Sequence, residues 1–270
     1  MKELMGQGTV FITILRNPVS QFESTFSYME FAQLLGIKAT KDPLVTFFED
    51  PGKTMAKISD LSVSGSVLLP YLNLLRNGQS FDLGLESVQF FIKEKTSHAI
   101  TELDSSFDLV LMMEYFDESL ILLARELCWD IRDVAYFKLN QRRSSDVKTK
   151  LSDELVQTIR QWNKADVLLY DYFNSTFWKK VEELGKAFWS DVSRLRHYNK
   201  VLEDACLLPG EHYAKAYTRQ SKQILGYGLK NNLDPHLKLL CGKMITNEID
   251  YIEYLRKITL FRIRSQDTRD

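Results

Sequence analysis

Two hydrophobic periods alternate along this chain. Residues 9–15 (TVFITIL) form a β-branched apolar run of strand length, Arg16-Asn17-Pro18 interrupts it, and Val19, Phe22, Phe26 and Met29 then recur at helical spacing. The pattern predicts a strand over 9–15 and a helix over 18–35. Asn17 is a suitable N-cap, Pro18 suits the first helical position, and Gly36 can close the helix. Asp42-Pro43 opens a second helical pattern, which Pro51-Gly52 ends. Residues 59–85 are rich in Ser, Gly and Asn around one apolar piece, Val67 to Leu75, and read as irregular surface structure suited to substrate contacts. A helix is predicted over 86–103 and a buried parallel strand over Asp108 to Met113. The next helix is predicted over 117–128, with Leu120, Leu123, Ala124 and Leu127 on one face and Cys128 buried. Val134 to Leu139 reads as another short strand, and a basic, Ser-rich loop follows over 141–150. From Ser152 onward the pattern is mostly helical, with breaks at Pro209-Gly210 and Asp234-Pro235. Strands alternating with helices predict an α/β fold: a parallel sheet flanked by helices, with a mostly helical C-terminal half.

The first strand-to-helix junction carries the most chemistry. Arg16 stands at the strand exit, and Ser24 falls eight residues later on the second turn of the helix. A cation and a hydroxyl are thereby held near the C-terminal edge of a parallel sheet, beside a helix N-terminus. Such a position suits a phosphate group.

The order strand, Arg-Asn-Pro, helix, Ser resembles the 3'-phosphate-binding element of sulfotransferases, and further blocks narrow the resemblance. Residues 76–85 (RNGQSFDLGL), 107–120 (FDLVLMMEYFDESL), 137–143 (FKLNQRR) and 169–178 (LYDYFNSTFW) look like the galactose-3-O-sulfotransferases, the group that includes the galactosylceramide sulfotransferases. The resemblance runs from about Thr9 to Trp178 and more weakly beyond. It implies a P-loop-like sulfotransferase fold and 3'-phosphoadenosine 5'-phosphosulfate as co-substrate, with Arg16 and Ser24 on its 3'-phosphate. The acceptor it implies is the 3-hydroxyl of galactose in a glycolipid or glycan, at the lumenal side of the Golgi membrane. Asn17 departs from the Asp often found there in the family, a mild change because both residues cap helices.

Only eight residues precede Thr9. By the same resemblance, the first strand, the Lys-containing 5'-phosphosulfate loop, a family His and the membrane anchor are expected upstream of Met1. The 270 residues are then expected to form a single sulfotransferase-like domain lacking those parts, without transfer activity of its own. A non-catalytic chain that keeps the nucleotide grip or a scaffold role is the competing expectation. A P-loop kinase relative is a third, against which the absence of a Gly-x-x-x-x-Gly-Lys-Ser/Thr run counts.

Composition narrows the partners. Lys+Arg 35 against Asp+Glu 36 gives a net charge of −1, so no electrostatic case for nucleic acid exists and anion binding must rest on local basic spots. Arg142 and Arg143, with Lys148 and Lys150, form the best such cluster, either folded over the nucleotide or solvated. Glu114, just past the second apolar run, either meets the sugar as contact or base, or starts the next helix with Asp117 and Glu118. Asp82 is a second candidate sugar contact. The aromatics Trp162, Tyr170, Tyr172, Phe173, Phe177 and Trp178 lie on a helical stretch, mostly as core, with one available to stack on adenine or galactose. No residue is singled out as the catalytic base, and no metal is implied. The three cysteines lack metal spacing; Cys206 and Cys241 are either paired, as an oxidising lumen permits, or free. Asn174-Ser175-Thr176 is an N-glycosylation sequon. No run reaches the length of a membrane span.

Overall fold

The structure is a computed structural model describing residues 5, 6, 8–37, 42–56, 73–85, 93–139, 151–210, 212–215 and 223–267. The chain divides into two compact units, Met1–Asp130 with Thr149–Val192, and Ile131–Lys148 with Ser193–Asp270.

The first unit is built around two parallel strands, β1 (Ile12–Leu15) and β2 (Leu109–Met112), in register from Ile12 opposite Leu109 to Leu15 opposite Met112. Backbone bonds at the strand start are extended by Asp108, whose carboxylate accepts the Phe11 N–H at 2.7 Å. The shared register brings the C-terminal ends of both strands to one edge, where Arg16 and Glu114 follow. Helix α1 (Pro18–Tyr28) begins as expected: the Asn17 side chain accepts from the Val19 and Ser20 N–H groups, and Pro18 needs no partner. The predicted helix over 18–35 is broken, because Glu30 adopts a left-handed backbone and starts a separate turn, α2 (Phe31–Leu34), which Gly36 follows at φ +65°. Helix α3 (Pro43–Glu49) is capped by Asp42. Pro51-Gly52 does end it, but helical structure resumes at once over 51–56, since proline is well tolerated in a first turn.

Phe22, Phe26, Phe31, Leu44, Phe47, Leu75, Leu155 and Ile159 form the core beneath α1. It unites α1, α2 and α3 with α7 (Asp153–Trp162). Trp162 belongs to this core edge: its indole N–H donates to the Leu75 carbonyl at 2.6 Å and the Arg76 guanidinium lies 4.5 Å over the ring. The stretch expected to be irregular contains a short helix, α4 (Gly78–Asp82); residues 57–72 lie outside the described residues. Helix α5 (Lys93–Ser106) accounts for the described part of the helix expected over 86–103. Helix α6 (Phe116–Glu126) follows β2, and the buried Ser119 hydroxyl pins it there, accepting from the Met112 N–H and donating to the Met112 carbonyl, both at 2.9 Å. Its buried apolar residues are Ile121, Leu122 and Ala124, so the inward face is rotated from the one predicted. Cys128 is not buried in the helix: it lies beyond its end with φ +54°, exposed and free. The helical run α8 (Lys164–Cys206) is interrupted at Gly185, whose φ of 61° and ψ of −149° suit glycine alone.

The second unit corrects two expectations. Ile131–Val134 is a 3-10 turn and residues 135–139 form no strand, since a strand needs a pairing neighbour and no described segment supplies one. Past α8 the chain forms an antiparallel pair, β3 (His212–Lys215) with β4 (Gln223–Gly226), where helix was predicted. Helices α9 (Pro235–Ile245) and α10 (Glu248–Asp267) complete it. Cys206 and Cys241 form a disulfide, wholly buried and packed with Phe137 and Leu202. Among the described residues no helix is long and apolar enough to cross a membrane.

Candidate functional site

At the C-terminal edge of β1 and β2, a cleft of about 350 Å³ is lined by residues that include Arg16, Gln21, Gln79, Asp82, Leu83 and Met113. That size is within the range of small-molecule sites. A recess of about 20 Å³ shares Gln21 and Asp82 with it and reaches Thr25, Asn163 and Asp166. The structure thus brings Arg16 and Asp82 to one cavity. The Arg16 guanidinium bonds to no other described residue. Asp82 is the cleft's carboxylate, and burial pushes its carboxyl above the ordinary value.

The Arg16 backbone is held on both sides. Its N–H donates to Gln79 Oε1 at 2.7 Å, and Gln79 Nε2 donates to its carbonyl at 2.9 Å. Gln79 is held in turn by the start of α8. Asp166, 3% exposed, accepts the Gln79 N–H at 3.2 Å, the Ser80 N–H at 2.8 Å and the Ser80 hydroxyl at 2.6 Å. Asn77, in the left-handed region at φ +50°, donates its N–H to Asn163 Oδ1 and accepts from the Ala165 N–H at 3.0 Å. Asparagine tolerates this backbone better than most residues. Sequence reasoning missed Gln79, Asp166, Asn77 and Asn163, although Asn77 and Gln79 lie inside the 76–85 block.

Burial raises the pKa of Asp166, the bonds from Ser80 and Gln79 oppose part of that rise, and Asp82 adds to it. A raised native pKa means that the native state binds the proton more tightly than the unfolded chain. The contribution is present in full below about pH 3.8, the ordinary value, and is lost as pH rises through the native pKa. Denaturation across this range should therefore show the stability of wild type falling with pH relative to Asp166→Asn. A difference that grows in favour of wild type with rising pH would contradict this assignment.

Glu114 does more than start a helix. It lies in the 3-10 turn Met113–Tyr115, where Oε1 accepts the Asn17 N–H at 2.8 Å and Oε2 accepts the Tyr170 hydroxyl at 3.1 Å. It ties the end of β2 to the start of α1. Burial, then the Glu114 charge, holds the Tyr170 hydroxyl well above its ordinary value, so it remains a donor. Ser24 is half-buried on α1, one turn beyond Gln21, and lines neither cavity. Arg142, with Arg143, Lys148 and Lys150, lies outside the described residues. Among the aromatics, Phe173 and Phe177 are buried, the Tyr172 hydroxyl donates to Asp104, and Trp178 packs against Tyr115 and Trp189. Asn174 is half-buried within α8, and its Oδ1 is enclosed without a hydrogen-bond partner among the described residues.

The structure is an α/β protein with a strand-end arginine held by its backbone beside a cleft, and comparison with known proteins gives the family. The family model described as galactose-3-O-sulfotransferase matches residues 1–259. Galactosylceramide sulfotransferase from Mus musculus is 37% identical over 267 residues, covering 94% of this chain and 60% of that protein. The protein of the same name from Homo sapiens is 37% identical over 265 residues, covering 93% and 60%. Galactose-3-O-sulfotransferase 2 from Sus scrofa is 31% identical over 267 residues, covering 93% and 63%. The chain belongs to the galactose-3-O-sulfotransferase family, as the resemblance implied. It spans about 60% of the length of these relatives. No solved structure matches it.

Proposed function

We propose that this chain is the nucleotide- and acceptor-binding part of a galactose 3-O-sulfotransferase with a P-loop-like fold. It uses 3'-phosphoadenosine 5'-phosphosulfate as donor and the 3-hydroxyl of a terminal galactose as acceptor. The observation that carries this reading is Arg16. In a chain of this family, a guanidinium bonded to no other described residue lines a cleft at the C-terminal sheet edge, where its fork can meet two phosphate oxygens. The family resemblance adds Ser24, which lines neither cavity, as a neutral hydrogen-bond partner of the same phosphate, and Arg142 as a second cation. Asp82 faces the sugar from the cleft, and Glu114 holds the start of α1. In transfer, the bond between sulfur and the donor's bridging oxygen breaks as one forms to the galactose oxygen. The hydroxyl proton leaves to a base, and 3',5'-bisphosphoadenosine departs. The family model spans both compact units, which supports one sulfotransferase-like domain over 1–270.

A glycolipid acceptor is favoured over a free glycan, because the galactosylceramide enzymes are 37% identical and the others about 31%. Labelled sulfate should pass to galactosylceramide in preference to lactose when the protein as made in the cell is assayed. Preference for lactose would overturn the glycolipid assignment, and transfer to neither would overturn the enzyme reading in favour of a nucleotide-binding or scaffold role.

A lumenal Golgi location, with the membrane reached through an N-terminal anchor, completes the proposal. The disulfide supports it, since such bonds persist in oxidising compartments. Asn174 is then expected to carry a glycan, added before α8 packs around its half-buried side chain. Glycosidase digestion of protein made in animal cells should raise gel mobility, and Asn174→Gln should reproduce the shift. Unchanged mobility in both cases would remove the glycan and weaken the lumenal assignment.

A further inference from the structure

β1 is paired along one edge by β2 and, in the described residues, by no strand along the other. At residue 16 a side chain does what a neighbouring strand would do. The primary amide of Gln79 carries an acceptor and a donor with the spacing of a peptide group. It accepts the Arg16 N–H at 2.7 Å and donates to the Arg16 carbonyl at 2.9 Å. The two bonds fix the peptide planes on both sides of the Arg16 Cα, and so the direction in which the side chain leaves the strand. The residues nearest to Gln in shape lack this pair of bonds. Asn is one methylene too short. Glu would set a carboxylate oxygen against the Arg16 carbonyl. Met has the shape but neither hydrogen-bonding group.

The clamp has a firm foundation. Gln79 sits in a five-residue helix, which has little stability of its own. Asp166 supplies the anchorage through its three bonds to Gln79 and Ser80, and Asn77 joins the same segment to the first turn of α8. Ser80, Asn77, Asn163 and Asp166 are all buried. The side-chain amide is thus delivered to β1 from a largely buried network.

We propose that Gln79 is a positioning residue for nucleotide recognition, holding the backbone of Arg16 so that its guanidinium meets the 3'-phosphate, with Asp166 as the buried anchor of Gln79. This rests on the reading that Arg16 binds that phosphate. Gln79 acts through Arg16, with both functions of its amide engaged by the Arg16 backbone.

The test is a double-mutant cycle with Gln79→Met and Arg16→Ala in the 270-residue chain. Calorimetry measures the preference for 3',5'-bisphosphoadenosine over adenosine 5'-phosphate. Gln79→Met should lower this preference by about five- to tenfold, the scale of one or two weakened hydrogen bonds. In the Arg16→Ala background, which keeps the clamped backbone but lacks the guanidinium, the same substitution should change nothing. Hydrogen exchange gives a second reading: the Arg16 amide should exchange faster in Gln79→Met, while amides in the core of α1 stay protected. A loss of preference that persists without the Arg16 guanidinium would overturn the inference, because Gln79 would then touch the ligand itself or support the fold at large. Unchanged Arg16 exchange would overturn it too. If Arg16→Ala removes the preference and Gln79→Met does not, the positioning role fails while the sulfotransferase reading stands. If wild type shows no preference for the 3'-phosphate, both fall.

Discussion

Arg16→Ala is expected to weaken binding of 3',5'-bisphosphoadenosine by roughly ten- to a hundredfold, from a charge-assisted hydrogen-bonded contact that contributes about 1.5–3 kcal/mol. The guanidinium lines the cleft and bonds to no other described residue, so its loss should fall on the ligand more than on the fold. The backbone bonds to Gln79 do not depend on the side chain at position 16. Arg16→Lys should restore part of the affinity, because it keeps the charge and loses the planar fork. Ser24→Ala should cost less, about 0.5–1.5 kcal/mol, since its hydroxyl is a neutral donor. Adenosine 5'-phosphate has no 3'-phosphate and should bind these variants almost as it binds wild type. Calorimetry with both nucleotides is the measurement. Equal losses for the two would assign Arg16 to the fold and remove the main physical support for the proposed function.

Removal of the Cys206–Cys241 disulfide should have the largest effect on stability, about 3–4 kcal/mol, from the loop-closure entropy of a bridge spanning 35 residues. The bridge encloses β3 and β4, a two-stranded pair of four residues each, which is too short to persist unaided. Both sulfurs lie in the small core with Phe137 and Leu202, so replacement by alanine also leaves a void. Denaturant unfolding of Cys206→Ala with Cys241→Ala, followed through the second unit, should show the loss, and wild type in strong reductant should show the smaller part that comes from the bridge alone. A double variant as stable as wild type would mean that packing, rather than the bridge, holds this unit. The two predictions are independent: the first reads the cleft of one unit, and the second reads the core of the other.

Some of this protein was legible in its sequence because the signals are local. The apolar run to Leu15, the Asn17 cap and Pro18 specify a strand, a break and a helix within a dozen residues, and the structure forms them there, with the strand shortened to Ile12–Leu15 and the first helix ending at Tyr28. The run Asp108 to Met113 announced β2 in the same way, and the parallel register with β1 agrees with its apolar character. The family was legible too, as ordered blocks of residues. What failed was local evidence with no tertiary partner, or tertiary pairing with no local evidence. Val134 to Leu139 has the residues of a strand and, among the described residues, no neighbour to pair with. His212–Lys215 and Gln223–Gly226 pair without a clear alternating pattern. Cys128 sits in an apolar sequence, yet the helix stops before it and a left-handed turn carries it outward. The site divides along the same line. Sequence alone determined that Arg16 leaves a strand beside a helix N-terminus. Only the tertiary structure decided what holds it there. The Gln79 clamp reaches across 63 residues and the Asp166 anchor across a further 86 or 87. Hydrogen bonds of that span arise from the packing of α4 against the start of α8, and no periodicity in the chain encodes them.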